Sequence, residues 1–532
     1  MAESFLFNII ERVLAKVSSI AIYDISLAWN VKTELRKLQS TLSTIKAVLL
    51  DANKQQGENH EVRDWLEKLR DVVYDVDDLM DDLSTQLLLQ THFQKTFRKK
   101  VRKFFSSSNP IIYRFKTGRK VKEIRELLNE IADDRKSFHF TEYTYLNPAE
   151  NASREQTHSF VRASDIIGRD ADQENIVKQL IDSHDEENIS VIPIVGLGGL
   201  GKTTLSVAGA ECLNVKPEAF VISERVRHLF FHAEDMSRKH FPRCLLPLQK
   251  LRSFSYSFNI GPVNKFFVKT MLSNFKCLRM LVLNNLDLED LPSSIGHLKE
   301  LRYLNLSDNG NIKFLPRSMS KLVNLQTLNL INCEQLEELP RDFAKLIGLK
   351  TLYLTTHQIS AGIKNQHSFT SLQFLLLFKC CFPNLQPELV QHFTALRVLR
   401  IYECPSLCSL PSSIRYLTSL EKLWIWNCEE LDLMDGEGMS GLSSLRSLLL
   451  MGLPKLVTLP LGLRDTAPAT LKYFRIADCP NMVELPEWLQ NYSSLQRLYI
   501  EDCPVLASIP QGIYNHNANV HIIDCPLLSG GC

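Results

Sequence analysis

Residues 189–205 read ISVIPIVGLGGLGKTTL, an apolar run, a glycine-rich turn and the start of a helical pattern. Gly196, Gly201, Lys202 and Thr203 stand at the G-x-x-x-x-G-K-[ST] spacing of a phosphate cradle. Glycines let backbone N–H groups close around phosphate oxygens, and the following helix points its positive end at the same anion. Lys202 has the reach for the outer phosphates, and the Thr203 hydroxyl suits Mg²⁺. The expected chemistry is therefore binding of a nucleotide with its magnesium. Hydrolysis needs a further acid to organise metal and water. After Thr204 no apolar strand ends in paired aspartates, and Leu229–Asp235, LFFHAED, is the nearest mimic.

The elements around this turn are those of a multidomain chain. At 532 residues the chain has room for about three domains. With 45% apolar and 23% charged residues, it has an ordinary globular composition. The net charge of +1 supplies no global field towards nucleic acid, which is not expected as a partner. Glu3 stands where a secretory leader would be basic, and no apolar run reaches the ~18 residues of a membrane span. The expected compartment is the cytoplasm, with the nucleus or the periphery of the plasma membrane as alternatives. There the 13 cysteines are expected to be reduced.

The front of the chain is periodic at helical spacing. Phe5, Ile9, Val13 and Val17 mark one helix. Leu27, Val31, Leu35, Leu38, Leu42, Ile45 and Leu49 mark a second, and Val62 to Leu83 a third. Val121, Ile124, Leu127, Leu128 and Ile131 mark a fourth at about 119–136. Together they predict a four-helix bundle. Asp71, Asp75, Asp78 and Asp82 share one face of the third helix, with Asp77 and Asp81 beside it. That face reads either as a solvated surface or as a docking strip for a basic surface elsewhere in the chain. The basic run of residues 95–122 reads as a solvated inter-helix connection, with localisation or peripheral contact with acidic lipid heads as alternatives.

From about residue 247 the chain repeats itself. Leu278, Leu301, Leu325, Leu349, Leu372, Leu396, Leu420, Leu445, Leu471 and Leu495 open L-x-x-L-x-L frames at steps of 23 to 26 residues. This is the leucine-rich-repeat period, and it predicts a solenoid with one short strand per repeat. Prolines such as Pro292, Pro316 and Pro411 recur on the return side, where no ladder donor is needed. Cys333, Cys380, Cys404, Cys428, Cys479, Cys503 and Cys525 fall just after the strands, as small buried ladder residues. No metal is expected there, because a ladder does not converge on a point. The frame aims Tyr353, Leu376, Phe378, Arg400, Tyr402, Trp424, Trp426, Arg475, Tyr499 and Glu501 out of the concave face. Asn305, Ser307 and Asn329 take those places earlier. The face is thus expected to be polar first and aromatic afterwards, and to capture a protein around Trp424 and Trp426.

Three modules in this order resemble the plant intracellular immune receptors of the coiled-coil, nucleotide-binding, leucine-rich-repeat class. TLSTIKAVLLDA and VRDWLEKLRDVVYDVDDLMDDL resemble the Rx-type helical domain. GLGGLGKTT resembles the family phosphate loop, with Gly196, Gly198, Gly199, Gly201, Lys202, Thr203 and Thr204 as nucleotide-binding residues. DIIGRDAD resembles the segment that meets the adenine side, at Ile167, Gly168 and Arg169. The resemblance also implies intramolecular docking by Asp77, Asp78 and Asp81, and a repeat lead-in at VRHLFFHAEDM.

The expected architecture is multidomain α plus α/β. It comprises an Rx-type bundle at 1–140, a linker at 141–165, a truncated P-loop β–α fragment at 166–225 and leucine-rich repeats at 226–532. In the family a whole nucleotide-switch domain follows the phosphate loop, whereas here only residues 205–225 precede the repeats. The GLPLA-like and MHD-like motifs are missing. One strand and one helix do not make a sheet covered on both faces, so ATP or ADP binding is expected to be weak and hydrolysis small. The functional expectation is an immune-receptor-like protein that recognises pathogen effectors or guarded host proteins through its repeats. The alternatives are a switchless adaptor or decoy that needs no nucleotide, and a product of altered splicing across residues 205–228.

Overall fold

A computed structural model describes residues 2–22, 29–55, 59–93, 110–134, 138, 226–232, 245–257, 265–340, 342–356, 369–385, 387–434, 439–464, 469–515 and 518–528. The chain divides into two compact units, Met1–Val215 and Lys216–Cys532. The phosphate-loop residues, the segment around Gly168 and the 141–165 linker lie outside the described residues.

In the first unit the described helices are α1 (Ala2–Ile22), α2 (Trp29–Gln55), α3 (His60–Phe93) and α4 (Pro110–Asp134). Their apolar stripes meet in one core, including Val13, Leu38, Ile45, Leu69, Val76 and Leu128, whereas Leu127, expected on the fourth stripe, points away and is 47% exposed. Both α1 and α4 lie against α2 and α3, which touch each other only slightly. Asn59 caps α3, its side-chain oxygen accepting the Glu61 N–H at 2.9 Å and the Val62 N–H at 3.4 Å. The Trp65 indole N–H donates to the Ile131 carbonyl at 2.7 Å, which ties α3 to the end of α4 without leaving a buried donor unpaired.

The helices run longer than their apolar periodicity. Helix α3 continues ten residues past Leu83 to Phe93. Helix α4 begins at Pro110, a residue suited to a first helical position because its missing N–H is not needed there. Residues 110–122 of the basic run are therefore helix rather than open connection, and residues 95–109 lie outside the described residues. Arg119 pairs with Glu123 one turn on at 2.8 Å, and Arg125 reaches Glu34 of α2 at 2.7 Å. No described helix is long and apolar enough to cross a membrane.

The second unit is one parallel sheet of 13 strands, β1 (His228–His232) to β13 (Asn519–Ile523), arranged in chain order. Each repeat adds one strand beside the last, so the core is a column rather than a ball. The frame leucines are fully buried: Leu304, Leu328, Leu352, Leu375, Leu399, Leu423 and Leu448 stack in register. The prolines sit where each return segment turns into a 3-10 helix. Pro292, Pro316, Pro411, Pro460 and Pro486 precede such turns, and each carbonyl accepts the N–H of the turn's third residue. Their own lack of an N–H costs nothing at that place.

After β4 (Tyr303–Asn305), β5 (Thr327–Leu330) and each strand from β7 (Phe374–Phe378) onwards the chain turns through a left-handed residue: Asp308, Asn332, Lys379, Glu403, Asn427, Gly452, Asp478, Asp502 or Asp524. The next residue plugs the interior. It is Asn309 in one repeat and Cys333, Cys380, Cys404, Cys428, Cys479, Cys503 or Cys525 in others, all buried. Cys333 donates to the carbonyl of Leu306 at 3.3 Å, and Cys380 to that of Leu354 at 3.4 Å. Burial pushes the Cys333 thiol up to about 12, so it stays protonated and acts as a weak donor.

Candidate recognition face of the repeat sheet

Alternation along each strand sends every second side chain out of the sheet, and parallel register lines those side chains up across strands. The middle row runs Asn305, Asn329, Tyr353, Leu376, Arg400, Trp424, Leu449, Arg475, Tyr499 and His521. A second row follows the strand ends through Phe378, Tyr402, Trp426, Met451, Ala477 and Glu501. The structure places on one face the ten residues expected there: Tyr353, Leu376, Phe378, Arg400, Tyr402, Trp424, Trp426, Arg475, Tyr499 and Glu501. Leu376 occupies its expected row between Tyr353 and Arg400 but is 6% exposed, so it serves as floor rather than contact.

The aromatic groups are interlocked. The Arg400 guanidinium lies 4.0 Å from the centre of the Trp424 ring and 5.3 Å from that of Phe374. Its charge is thereby held against two π-faces. The Trp424 indole N–H donates to the Ser447 hydroxyl at 3.2 Å, which fixes the ring plane. Tyr402 meets Trp426 edge to face with centroids 5.6 Å apart. Trp426 itself is 41% exposed, an unusual state for so large an apolar ring. Burial pushes the Tyr402 phenol up, against the pull of Arg400 beside it. Further along, Arg475 bonds Glu501, and Tyr499 stacks on His521 with planes 9° apart. Two clusters result, one on β8 (Val398–Tyr402) and β9 (Lys422–Trp426), the other on β11 (Tyr473–Ala477) to β13.

A third outward row, at the strand starts, belongs to the same face and escaped the sequence reading. It holds Tyr303, Thr327, Thr351, Phe374, Val398, Lys422, Ser447, Tyr473 and Arg497. The early face is therefore not uniformly polar, since Tyr303 stands in it. The signal was the residue just before the second frame leucine, which shares the parity of the other two rows.

The acidic strip of α3 has a different geometry. Asp77 is fully buried and accepts from Arg12 and Lys16 of α1, each at 2.8 Å. Asp81, 4% exposed, also accepts from Lys16. The basic surface these two meet is thus the neighbouring helix of their own bundle. Asp71, Asp75, Asp78 and Asp82 are half-buried on the flank.

The Rx N-terminal domain family matches residues 9–109, and the leucine-rich repeat region family matches residues 250–500. Disease resistance protein RGA2 of Solanum bulbocastanum is 35% identical over 213 residues, covering 39% of this chain and 20% of that protein. The disease resistance RPP13-like protein 1 of Arabidopsis thaliana is 34% identical over 187 residues, 32% of this chain and 17% of its own length. Disease resistance protein PIK6-NP of Oryza sativa subsp. japonica is 25% identical over 212 residues, 37% of this chain and 20% of that protein. The chain matches about a fifth of the length of these relatives. An Rx N-terminal domain match in front, a leucine-rich repeat match behind and these relatives make the chain similar, at its two ends, to plant coiled-coil disease resistance proteins.

Proposed function

We propose that the chain works in plant defence as an immune-receptor-like protein whose repeat sheet captures a protein, either a pathogen effector or a guarded host protein. The observation that carries this is the aromatic face on β8 and β9: Arg400 between Trp424 and Phe374, with Trp426 exposed beside it. Large exposed rings in a rigid row, rimmed by charge, are what protein hot spots are built from. The relatives' names as disease resistance proteins support the setting. The cytoplasm is the proposed compartment. Docking of the Asp77, Asp78 and Asp81 strip on a basic surface of the repeats belongs to the same proposal, although Asp77 and Asp81 are already engaged by Arg12 and Lys16 of α1.

Nucleotide use is proposed on spacing alone. Gly196 to Thr204 would hold the phosphates of ATP or ADP with Mg²⁺ at Thr203, and the short stretch from Leu205 to the repeats argues for weak binding. That short stretch also favours the second reading, an adaptor or decoy without a nucleotide switch. Calorimetric titration of ATP and ADP into the full chain and into Lys202→Ala separates the two: equal, negligible heats support the adaptor. For the recognition face, Trp424→Ala with Trp426→Ala should reduce partner capture by about thirtyfold or more, the size of a lost hot spot, while the melting temperature moves little. Unchanged capture would remove the face from the mechanism.

A further inference from the structure

The recognition face has opposite charge on its two borders, and we infer that its partner is an amphipathic protein helix with carboxylates along one flank and lysines or arginines along the other. The inference rests on reading this face as the recognition surface and adds the chemistry of what binds it. At the strand-start border four cations are exposed on consecutive repeats: Lys422 and Arg497 as the first residues of β9 and β12 (Arg497–Glu501), and Arg446 and Lys472 just before β10 (Ser447–Met451) and β11. Among the described residues none of the four has a carboxylate within 4.0 Å; Glu421, next to Lys422 on this border, is taken up by Arg397 of the preceding repeat at 3.7 Å. At the strand-end border stand Asp478, Asp502 and Asp524, together with Glu403, which faces Lys379 at 3.8 Å, and Glu501, which bonds Arg475.

Backbone demand explains only part of the acidic border. The left-handed turn residue favours Asn, Asp or Gly. Asn332, Asn427 and Gly452 fill it without charge, so the turn itself does not require an acid. Lys379 even fills it with the opposite charge, 3.8 Å from the Glu403 carboxylate, and Glu501, which is not a turn residue, bonds Arg475, so the acidic border offered to a partner rests on Asp478, Asp502 and Asp524. The apolar rings lie between the two borders. An anionic membrane or a nucleic acid would gain at one border and be repelled at the other.

The dimensions suit a helix laid along the solenoid. Within β8 the outward residues Val398 to Tyr402 span about 13 Å, close to the ~10–12 Å diameter of a helix. From β8 to β12 the sheet extends about 19 Å, the length of roughly 13 helical residues. A seam of leucine and phenylalanine would then rest on Trp424, Trp426 and Arg400, with one charged flank over each border.

Fluorescence anisotropy with three synthetic amphipathic helices tests this on the full chain. All share one apolar seam; the flanks are Glu on one side and Lys on the other, Glu on both, or Lys on both. The mixed helix should bind about tenfold tighter than either uniform one. In the quadruple variant Lys422→Glu, Arg446→Glu, Lys472→Glu, Arg497→Glu the preference should pass to the all-Lys helix. In Glu403→Lys, Asp478→Lys, Asp502→Lys it should pass to the all-Glu helix, so misfolding of one variant leaves the other to decide. Equal binding of the three helices, no binding of any, tightest binding of a uniform helix by the native chain, or tighter binding of a polyuridylate or of phosphatidylserine vesicles would overturn the inference. Trp424→Ala with Trp426→Ala separates the two readings. Weaker binding of all helices without flank preference retains the face and refutes the charge arrangement. Undiminished binding refutes the face itself.

Discussion

Replacing Asn309 by alanine is expected to open the solenoid locally at its third and fourth strands. The side chain is 0% exposed, and its oxygen accepts the N–H of Leu286 at 3.0 Å and of Leu288 at 3.1 Å. Its nitrogen donates to the carbonyls of Leu283 and Leu306, each at 2.8 Å. Alanine leaves two interior N–H groups without acceptors, at about 1–3 kcal/mol each. The carbonyls matter less, because Leu306 keeps the Cys333 thiol as a partner. The expected loss is therefore about 4 kcal/mol. Cysteine, the plug of most other repeats, should recover only part of it, since a thiol can donate to Leu283 but is a poor acceptor for two amides. Hydrogen exchange resolved at single amides is the direct assay. Protection at Leu286 and Leu288 should fall by about a thousandfold in Asn309→Ala, and by less in Asn309→Cys. Unchanged protection at these two amides, or a loss below about 1 kcal/mol in urea unfolding, would refute the reasoning.

The other predictions concern charge and thiols. Asp77→Ala should destabilise the bundle by about 1–3 kcal/mol in urea unfolding, less than for a wholly buried triad because side chains of Arg12 and Lys16 are 43% and 20% exposed and can rehydrate. His228 is held neutral by burial and by Arg252, Arg279 and Arg227, its pKa lowered from 6.5 to about 4. A depressed histidine binds its proton more readily in the unfolded chain, so stability is full above pH 6.5 and falls as pH drops towards 4, by up to about 3 kcal/mol. His228→Gln should flatten that part of the denaturation profile. With iodoacetamide and mass spectrometry, the exposed Cys381 and Cys408 should be modified in the native chain, and the seven plug cysteines only after unfolding.

Legibility in the sequence followed the range of the forces involved. The repeat frame is local: a leucine at a fixed offset is buried by its own neighbours, so Leu278 to Leu495, the cysteine plugs and the outward aromatics could be placed from spacing. Strands β1 and β13 lack the full leucine frame and were less visible, although Leu229 and Cys525 keep fragments of it. The outward row through Phe374, Tyr473 and Arg497 was overlooked because only the residues around the last two frame positions were considered. Asp77 is the opposite case. Its helical face can be read from α3, but whether that face meets water or Arg12 and Lys16 depends on how α1 packs, some 60 residues away in the chain. The extension of α4 back to Pro110 likewise depends on tertiary support that a basic stretch does not advertise.

The in-register sheet gives this protein a ruler. Adding or deleting a whole repeat slides the outward rows by one strand spacing, about 4.8 Å, and leaves every row intact. A single-residue insertion inside a strand would instead turn Trp424 or Arg400 into the column and a leucine into the solvent. Sequence change at the outward positions is cheap and change in frame is ruinous. Partner preference can thus be rewritten letter by letter, or lengthened by whole words, without renegotiating the fold.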